Sequence, residues 1–319
     1  MSSTANVTRP TPPKLSGSQP AASSVTPSHS HKEALKAAFG AAPAQTLVAQ
    51  GGEGARPEEM VLTPVGMRPI SKVHRIPEGG RLAHVGNELH LIDANDNVIH
   101  KAVPGHSVPR VPEKSKWITY ASWYDNSTPP PIKDFITTWT VPPNPATNDG
   151  QTIFLFNSIE PASFNDILQP VLQWGPSYAG GGAHWSVASW YLVGSAVYVT
   201  SLTNVSVGRS LEGVINLTSY SGTSFNYTCY FVGIQASYLV VTGAAELVWA
   251  TETLEPYGVT KSSDYPSGRT PFSSIYLWRA DNTYPPLSWS VVNDIADGLS
   301  TTVNVNGPYN GEVTIKYPT

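Results

Sequence analysis

The chain has 319 residues, with 19 Lys and Arg against 23 Asp and Glu, a formal net charge of −4. This length suits one sizeable domain with an appendage or two modest domains, and the near-neutral charge gives no reason to expect nucleic acid as a partner. The single cysteine, Cys229, excludes an intramolecular disulfide. No apolar run reaches the length of about eighteen residues that a membrane helix needs, so no membrane partner is expected.

The N-terminus lacks the basic-then-apolar layout of a secretory signal peptide. Five N-x-Ser/Thr sequons would suit a secreted protein, although a chain rich in Asn, Ser and Thr also makes them by chance. An intracellular (cytoplasmic) protein, unconventional export and an incomplete N-terminus all stay open.

Composition changes sharply near residue 116. All nine tryptophans lie from Trp117 onward, whereas seven of the eight histidines lie before it. The part from Trp117 has 6 basic and 14 acidic residues, a net of −8, and the first 116 residues have 13 basic and 9 acidic, a net of +4. Such a split indicates a boundary. We predict a Ser/Thr/Pro-rich disordered stretch at 1–30, a separate segment at 31–116 and a domain at 117–319.

The 31–116 segment is predicted to contain three elements. Lys32–Gln50 has a short, interrupted helical pattern. The runs Leu82–Val85 and Glu88–Ile92 flank a Gly-Asn pair, which is the turn signal of a β-hairpin. Residues 104–116 have the composition of a linker.

From Trp117 onward, runs of β-branched and aromatic residues alternate with Pro, Gly, Asn and Asp, a pattern typical of strands. The clearest runs are Phe135–Val141, Thr152–Phe156, Val197–Leu202, Glu246–Trp249, Ser274–Trp278 and Val313–Tyr317. No long helical pattern occurs. The sequence therefore predicts an all-β fold, a two-sheet antiparallel β-sandwich of the concanavalin-like or jelly-roll type.

Familiar hydrolase signatures are missing from the sequence. It has neither a G-x-S-x-G elbow nor an H-E-x-x-H pair, and His184 is the only histidine of the β domain. Cys229 sits in the middle of a predicted strand and is expected to be packed. A zinc site needs more nitrogen or sulfur ligands than this, so neither a metal nor a cofactor is expected. Hydrolysis would have to rest on carboxylates, amides and water.

Five stretches occur in a recognisable order: Thr138–Pro143, Ile167–Gly175, Ala188–Tyr191, Ala245–Glu255 and Phe272–Leu277. Together they resemble the eqolisin-type glutamic peptidases, which have a catalytic Gln in an I-L-Q-x-G segment, then a W-Y strand, then a catalytic Glu in an A-E-W-I-x-E strand. The resemblance spans about residues 117–280.

The resemblance implies an acid-acting endopeptidase with a polypeptide substrate, secreted or vacuolar, with its site on the concave face of one sheet. It also implies a removable prosegment, so the chain's own N-terminal segment is expected to inhibit it. We expect a monomer. Leu172-Gln-Trp-Gly175 matches L-Q-x-G, which gives Gln173 the role of catalytic glutamine, with Gln169 as the fallback.

Two glutamates compete for the second catalytic role. Glu246 follows Ala245 as at the start of the family motif, whereas Glu252 matches its second half and lies at the better distance before Phe272, so Glu252 is preferred. The two are six residues apart and would share a face of an unbroken strand. Glu255 is then expected to face away and to end the strand.

Further positions are candidates for substrate binding. Phe156 aligns with a tryptophan of the family's cleft and Glu160 with an acidic position after it, and Trp174, Trp185 and Trp190 are candidate subsites. Half or more of the tryptophans are nevertheless expected to be core. The glycine-rich Ala179–Ala183 is either a flap over a cleft or a plain hairpin loop.

Two other functions remain open. Exposed tryptophans on a concave sheet would suit a carbohydrate-binding, lectin-like sandwich, and a catalytically inactive binding protein would carry the same motifs. For the peptidase, the basic, histidine-rich segment would associate with the acidic domain near neutral pH. Acid would weaken that attraction. We therefore expect acid-triggered release, with cleavage near Lys114–Trp117.

Overall fold

The computed structural model describes residues 58–105, 119–126, 129–293 and 298–319. The expected disorder of 1–30, the helix at Lys32–Gln50, the linker beyond Gly105 and the cleavage region near Lys114–Trp117 lie outside these ranges.

The part of the segment that is described forms six strands and one 3-10 turn. These are β1 (Met60–Thr63), β2 (Gly66–Pro69), the turn at Ile70–Lys72, β3 (Val73–Arg75), β4 (Arg81–Val85), β5 (Glu88–Ile92) and β6 (Val98–Ala102). The predicted hairpin is confirmed: β4 and β5 are antiparallel, Val85 pairs with Glu88, and Gly86 between them has φ 61°. Glycine adopts this left-handed conformation without steric cost.

The part from residue 119 consists of strands with a second 3-10 turn at Ser262–Asp264. The strands are β7 (Thr119–Tyr124), β8 (Ile132–Thr140), β9 (Thr152–Pro161), β10 (Asp166–Ser177), β11 (Gly180–Val193), β12 (Ala196–Val199), β13 (Thr203–Asn204), β14 (Ser210–Ser221), β15 (Ser224–Phe231), β16 (Ile234–Ala244), β17 (Leu247–Tyr257), β18 (Arg269–Arg279), β19 (Ser290–Asn293), β20 (Ser300–Val305) and β21 (Gly311–Lys316). Each of the six predicted runs overlaps one of them.

Two large sheets form the sandwich. The first has nine strands in the order β19-β7-β17-β9-β10-β11-β12-β3, with β13 beside β11, and the second has ten in the order β20-β21-β18-β8-β14-β15-β16-β4-β5-β6. Strands β1 and β2 form a separate hairpin. The sandwich is as predicted, except that the sheets are mixed, because β3 pairs parallel with β12 and β4 pairs parallel with β16. Both parallel contacts attach the N-terminal segment.

Both faces of the first sheet are buried. On β9, Ile153 and Leu155 belong to a core that also contains Phe135 of the second sheet, so they point to the face between the sheets, called here the inner face. Phe154 and Phe156 belong to a different cluster with Val65 of the β1–β2 hairpin, on the outer face. Burying one such side chain stabilises the fold by about 1.5–3 kcal/mol, so the N-terminal hairpin is held by apolar packing.

Candidate functional site

One cross-strand row on the outer face defines the candidate site. Gln173 of β10 pairs with Phe154 of β9, and Phe154 pairs with Glu255 of β17. Directly paired residues point to the same face, so Gln173 and Glu255 both lie on the outer face with one strand between them. Their Cα atoms are then roughly 9.5 Å apart, and the Phe154 side chain projects from the same face between them.

Glu252 lies on the other face of the same strand. It pairs with Asn157 and accepts a hydrogen bond of 2.5 Å from Thr137 Oγ1 of the second sheet, which places it between the sheets. Burial raises its pKa well above the usual value. The expectation that Glu252 faces the cleft with Gln173 is therefore wrong, since the backbone of the sheet separates them.

The same geometry corrects the expectations for the other two glutamates. Glu246 precedes β17, and a register shift between Leu247 and Trp249 breaks the regular strand that would have placed it on the face of Glu252. Glu255 does not face away and does not end the strand, which runs to Tyr257. Residues three apart on a strand point to opposite faces, so Glu255 lies on the outer face with Gln173, and Glu252 does not.

Glu255 is a buried carboxyl group with one satisfied oxygen. Oε1 accepts hydrogen bonds from the Val65 backbone N–H at 2.8 Å and from the Tyr257 hydroxyl, whereas Oε2 has no partner among the described residues. Burial raises the pKa of Glu255 to about 7, against the opposing effects of these hydrogen bonds and the nearby Arg68 guanidinium. A carboxyl group that titrates near neutrality can both accept and donate a proton.

Gln173 is held by the hairpin that joins β10 to β11. Its Nε2 donates to Gly175 O at 2.6 Å and to Gly180 O at 2.9 Å, and its Oε1 accepts from Ser177 Oγ at 2.8 Å. A Cβ at Gly181 would lie 2.5 Å from that Nε2, so only glycine fits there. Both amide protons are thus occupied. The glycine-rich stretch at Ala179–Ala183 forms the start of β11 and this hairpin turn.

The N-terminal segment also contacts this hairpin turn. Tyr178 N donates to Leu62 O at 2.9 Å, and Arg75 Nη2 donates to the carbonyl oxygens of Tyr178 and Ala179 at 3.1 and 3.0 Å. The Arg75 guanidinium carbon lies 5.6 Å from the centre of the Tyr178 ring. One segment therefore touches Glu255 directly and touches the turn that holds Gln173.

The tip of the β1–β2 hairpin is strained where it meets Glu255. Thr63 pairs with Gly66 across the Pro64-Val65 turn, and Thr63 Oγ1 donates to Gly66 O at 2.7 Å. Val65 has φ 74°, a left-handed conformation that costs a β-branched residue about 1–3 kcal/mol. The hydrogen bond to Glu255 and the burial of the Val65 side chain offset that cost.

The predicted substrate-binding residues divide between the two faces. Trp190 and Phe156 lie on the outer face with Gln173. Trp174 and Trp185 instead pack against each other in the inner core, with ring centres 5.6 Å apart. Their expected placement on the face of Gln173 is wrong. Trp174 follows Gln173 directly and so points to the opposite face, and Trp185 pairs with Trp174 and points the same way.

The remaining two predicted polar residues, Gln169 and Glu160, lie on the outer face, and both are buried. In the part of the chain that the structure describes, three of their side-chain atoms have no hydrogen-bond partner: Gln169 Nε2, Gln169 Oε1 and Glu160 Oε1.

Tryptophan burial weakens the carbohydrate-binding alternative. Trp123 is half-buried, and the other tryptophans from residue 119 onward are buried: Trp139, Trp174, Trp185, Trp190, Trp249, Trp278 and Trp289. This confirms the expectation that most are core. The carbohydrate-binding alternative requires exposed tryptophans on a concave sheet, and no described tryptophan is exposed.

Histidines lie where the N-terminal strands join the two sheets. The rings of His74 and His100 are 3.8 Å apart, and the ring of Tyr198 is 5.3 Å from that of His74. Burial, His100 and Lys72 lower the pKa of His74 to about 4. Elsewhere His84 Nε2 lies 2.8 Å from Tyr191 Oη, and burial lowers the pKa of that histidine also. Protonation of these groups therefore opposes the docked arrangement.

The described ranges contain no group of three His, Cys, Asp or Glu side chains arranged for a metal ion. Neither 3-10 turn there has the length or apolar character of a membrane span.

No protein-family model and no curated protein matches the chain. Among solved structures, it is similar to scytalido-glutamic peptidase in complex with a peptide-based transition state analogue, with 14% identity, a TM-score of 0.40, and coverage of 64% of this chain and 99% of that one. A second structure of that peptidase, with a transition state analogue inhibitor, has 16% identity and a TM-score of 0.41, and the match covers 64% of this chain and 98% of that one.

SCP-B, a member of the eqolisin family in a complex with the tripeptide Ala-Ile-His, gives 14% identity, a TM-score of 0.38, and coverage of 64% of this chain and 99% of that one. Likeness of this degree does not establish a shared activity.

Proposed function

We propose that the chain is a latent, acid-acting endopeptidase of the glutamic type, with Gln173 and Glu255 as its catalytic pair. The observation that carries the proposal is their common row on the outer face of the first sheet, with the backbone N–H of Val65 2.8 Å from Glu255 Oε1. The motif resemblance around Gln173 supports the same reaction. Glu255 replaces Glu252 and Glu246 in the catalytic role.

In the proposed reaction Glu255 acts first as the base and then as the acid, and Gln173 stabilises the oxyanion. Once the N-terminal segment has left, exposure to water removes the burial that raises the pKa of Glu255, and its carboxylate accepts a proton from water as the water oxygen adds to the peptide carbonyl carbon. An N–H of the Gln173 amide donates to the oxyanion that forms, and such a donor is worth about 10²–10³ in rate. Glu255 then donates its proton to the amide nitrogen as the C–N bond breaks. Oε2, unpartnered among the described residues, is the oxygen that would receive the water proton.

The described arrangement fits an inhibited state rather than an active one. The Val65 N–H occupies Glu255 Oε1, and both Gln173 amide protons are bound to Gly175 and Gly180. Departure of the N-terminal segment would remove Val65 from Glu255 and remove Leu62 and Arg75 from the turn. The turn could then release the Gln173 amide toward a substrate.

The experiment is an acidic digest of a denatured protein by the full-length chain and its variants. Gln173→Ala and Glu255→Gln are each expected to lower kcat/KM at least about 10²-fold, because each removes a group that acts in the transition state. Glu246→Gln, a change at a half-buried carboxyl before β17, is the matched control and should retain wild-type kinetics. Wild-type activity in Gln173→Ala or in Glu255→Gln would refute the proposal.

A further inference from the structure

The tip of the β1–β2 hairpin fills a place on the outer face beside the row of Gln173 and Glu255. Val65, at this tip, is 9% exposed, and its backbone nitrogen lies 2.8 Å from Glu255 Oε1. The Val65 side chain belongs to the same packed apolar cluster as Phe154 and Tyr257. Departure of the N-terminal segment would therefore open a space of valine size next to the Glu255 carboxyl group.

The place that the valine side chain fills is called here the tip site, and its surroundings are apolar. The cluster around it contains Phe154, Phe156, Ala179 and Tyr257. The ring centres of Phe154 and Tyr257 are 5.9 Å apart, with an angle of 76° between their planes, and the Tyr257 hydroxyl is already bound to Glu255. A polar side chain placed there would lose its water without gaining a partner from these groups, whereas an aliphatic side chain would be stabilised by leaving water.

The backbone of the hairpin is held by bonds that almost any polypeptide can make. Leu62 O accepts a hydrogen bond from Tyr178 N at 2.9 Å, and Val65 N donates to Glu255. Every residue other than proline offers the same carbonyl and N–H groups, so these two bonds do not select a sequence. Selectivity at this place has to come from the side chain that enters the tip site.

We propose that the tip site selects polypeptide substrates by a Val, Ile or Leu side chain, which takes the place of Val65 after the hairpin has left. The hairpin is itself a polypeptide seated in the site, and its valine gives the size and polarity that the site accommodates. Each buried methyl or methylene group strengthens binding about fourfold, so valine should exceed alanine by about tenfold. The inference rests on the peptidase proposal only for the statement that the new occupant is a substrate.

The test measures peptide binding by calorimetry at pH 7 to the full-length chain carrying Gln173→Ala, which prevents turnover, with and without Val65→Asp. A charged side chain is too costly to bury among these rings, so Val65→Asp empties the tip site. Three peptides rich in Gly and Ser, blocked at both ends, differ only in one central residue, which is Val, Thr or Ala. In the Val65→Asp chain the Val peptide should bind about tenfold tighter than the other two. Thr is the matched control because it has the shape of Val but carries a hydroxyl group.

Competition with Val65 shows where the peptide binds. The chain with Val65 intact should bind the Val peptide at least about tenfold more weakly than the Val65→Asp chain, because both occupants need the same place. Equal binding of the three peptides, binding that is indifferent to Val65, or no binding to the Val65→Asp chain overturns the inference.

Phe154→Leu, added to the Val65→Asp chain, tests the wall of the tip site. Loss of the ring should reduce the preference for Val over Thr below about threefold. Phe231→Leu is the matched control, since it makes the same change at a buried position of the second sheet and should keep the preference. An undiminished preference in Phe154→Leu contradicts the assignment. Binding is read without turnover, so a chain that binds the Val peptide selectively but cleaves nothing with Gln173 intact refutes the peptidase proposal and leaves the selectivity of the tip site established.

Discussion

At the residue scale, the state of Glu255 depends on the N-terminal hairpin that covers it. In the covered arrangement burial raises its pKa to about 7, and one carboxylate oxygen stays without a partner in the described part of the chain. The other oxygen is held by Tyr257 and by Val65 of the N-terminal hairpin. The same carboxyl group is thus oriented for chemistry by its own strand and covered by a segment from far earlier in the chain.

A substitution of Arg68 measures how much charge contributes to the docking of the N-terminal hairpin on Glu255. The guanidinium is 5% exposed and its attraction to Glu255 raises the pKa of Arg68 against the larger effect of burial. Arg68→Met removes a cation that favours the ionised carboxylate, so the pKa of Glu255 should rise above about 7. Because Glu255 is ionised only near and above that pH, the hairpin should dock less tightly at pH 8, as measured by limited proteolysis. Arg269→Met, an exposed site, is the control, and unchanged protease sensitivity of Arg68→Met at pH 8 would contradict this role.

The sequence can single out Gln173 as a candidate but cannot tell which glutamate shares its face of the sheet, and the reason is physical. The Leu-Gln-Trp-Gly segment identifies Gln173 without any knowledge of strand faces. The choice between Glu252 and Glu255 depends on which face of β17 meets the cleft, and both faces of that strand are buried. Hydrophobic alternation, the usual guide to facing, is therefore absent there.

At the element scale, contacts that are local in sequence were predictable and distant ones were not. The β4–β5 hairpin follows from two short runs and a Gly-Asn turn. The parallel pairing of β3 with β12 and of β4 with β16 joins short strands separated by more than a hundred residues, and no local pattern specifies it. These pairings build the N-terminal segment into the edges of both sheets, beyond the hairpin that was expected.

The β10–β11 hairpin turn gives a prediction with a matched control. Gly181 has φ 102° and a Cβ there would meet the Gln173 amide, whereas Gly222 has φ 58° and open space around it. Gly181→Ala and Gly222→Ala both introduce left-handed strain of roughly 1 kcal/mol. Gly181→Ala should cost more in free energy of unfolding, because its Cβ would also meet Gly175 O at 2.4 Å and Gln173 Nε2 at 2.5 Å. Equal losses in chemical denaturation would show that the turn does not hold Gln173 as described.

The junction between β3 and β12 predicts how docking of the N-terminal segment depends on pH. The pKa of His74 is lowered to about 4 when docked, against 6.5 when free, with His100, Lys72 and Tyr198 around it. The undocked state binds the proton more readily, so docking weakens as pH falls from about 6.5 toward 4. His74→Gln cannot gain charge and should lower the pH at which limited proteolysis releases the segment. His184→Gln is the control, and coincident release profiles for wild type and His74→Gln would contradict the assignment.

At the scale of the whole molecule, charge separation and packing act together. The first 116 residues carry +4 and the remainder −8, so attraction between them favours the docked arrangement near neutral pH. Added salt screens exposed charges with a Debye length of about 8 Å at physiological ionic strength but leaves apolar packing in place. At pH 7, high salt should therefore increase protease sensitivity of the segment only modestly. Complete release by salt alone, measured by gel after limited proteolysis, would show that apolar contacts such as that of Val65 contribute little.

The central claim is that the catalytic carboxyl group is Glu255 on the outer face and not Glu252 between the sheets. The most direct test compares kcat/KM of full-length Glu255→Gln and Glu252→Gln with wild type at acidic pH, after circular dichroism has shown that both variants are folded. The pairing of Gln173, Phe154 and Glu255 predicts a loss of at least about 10²-fold in Glu255→Gln and less than about tenfold in Glu252→Gln. The reverse order, with Glu255→Gln active and Glu252→Gln inactive, would contradict the account.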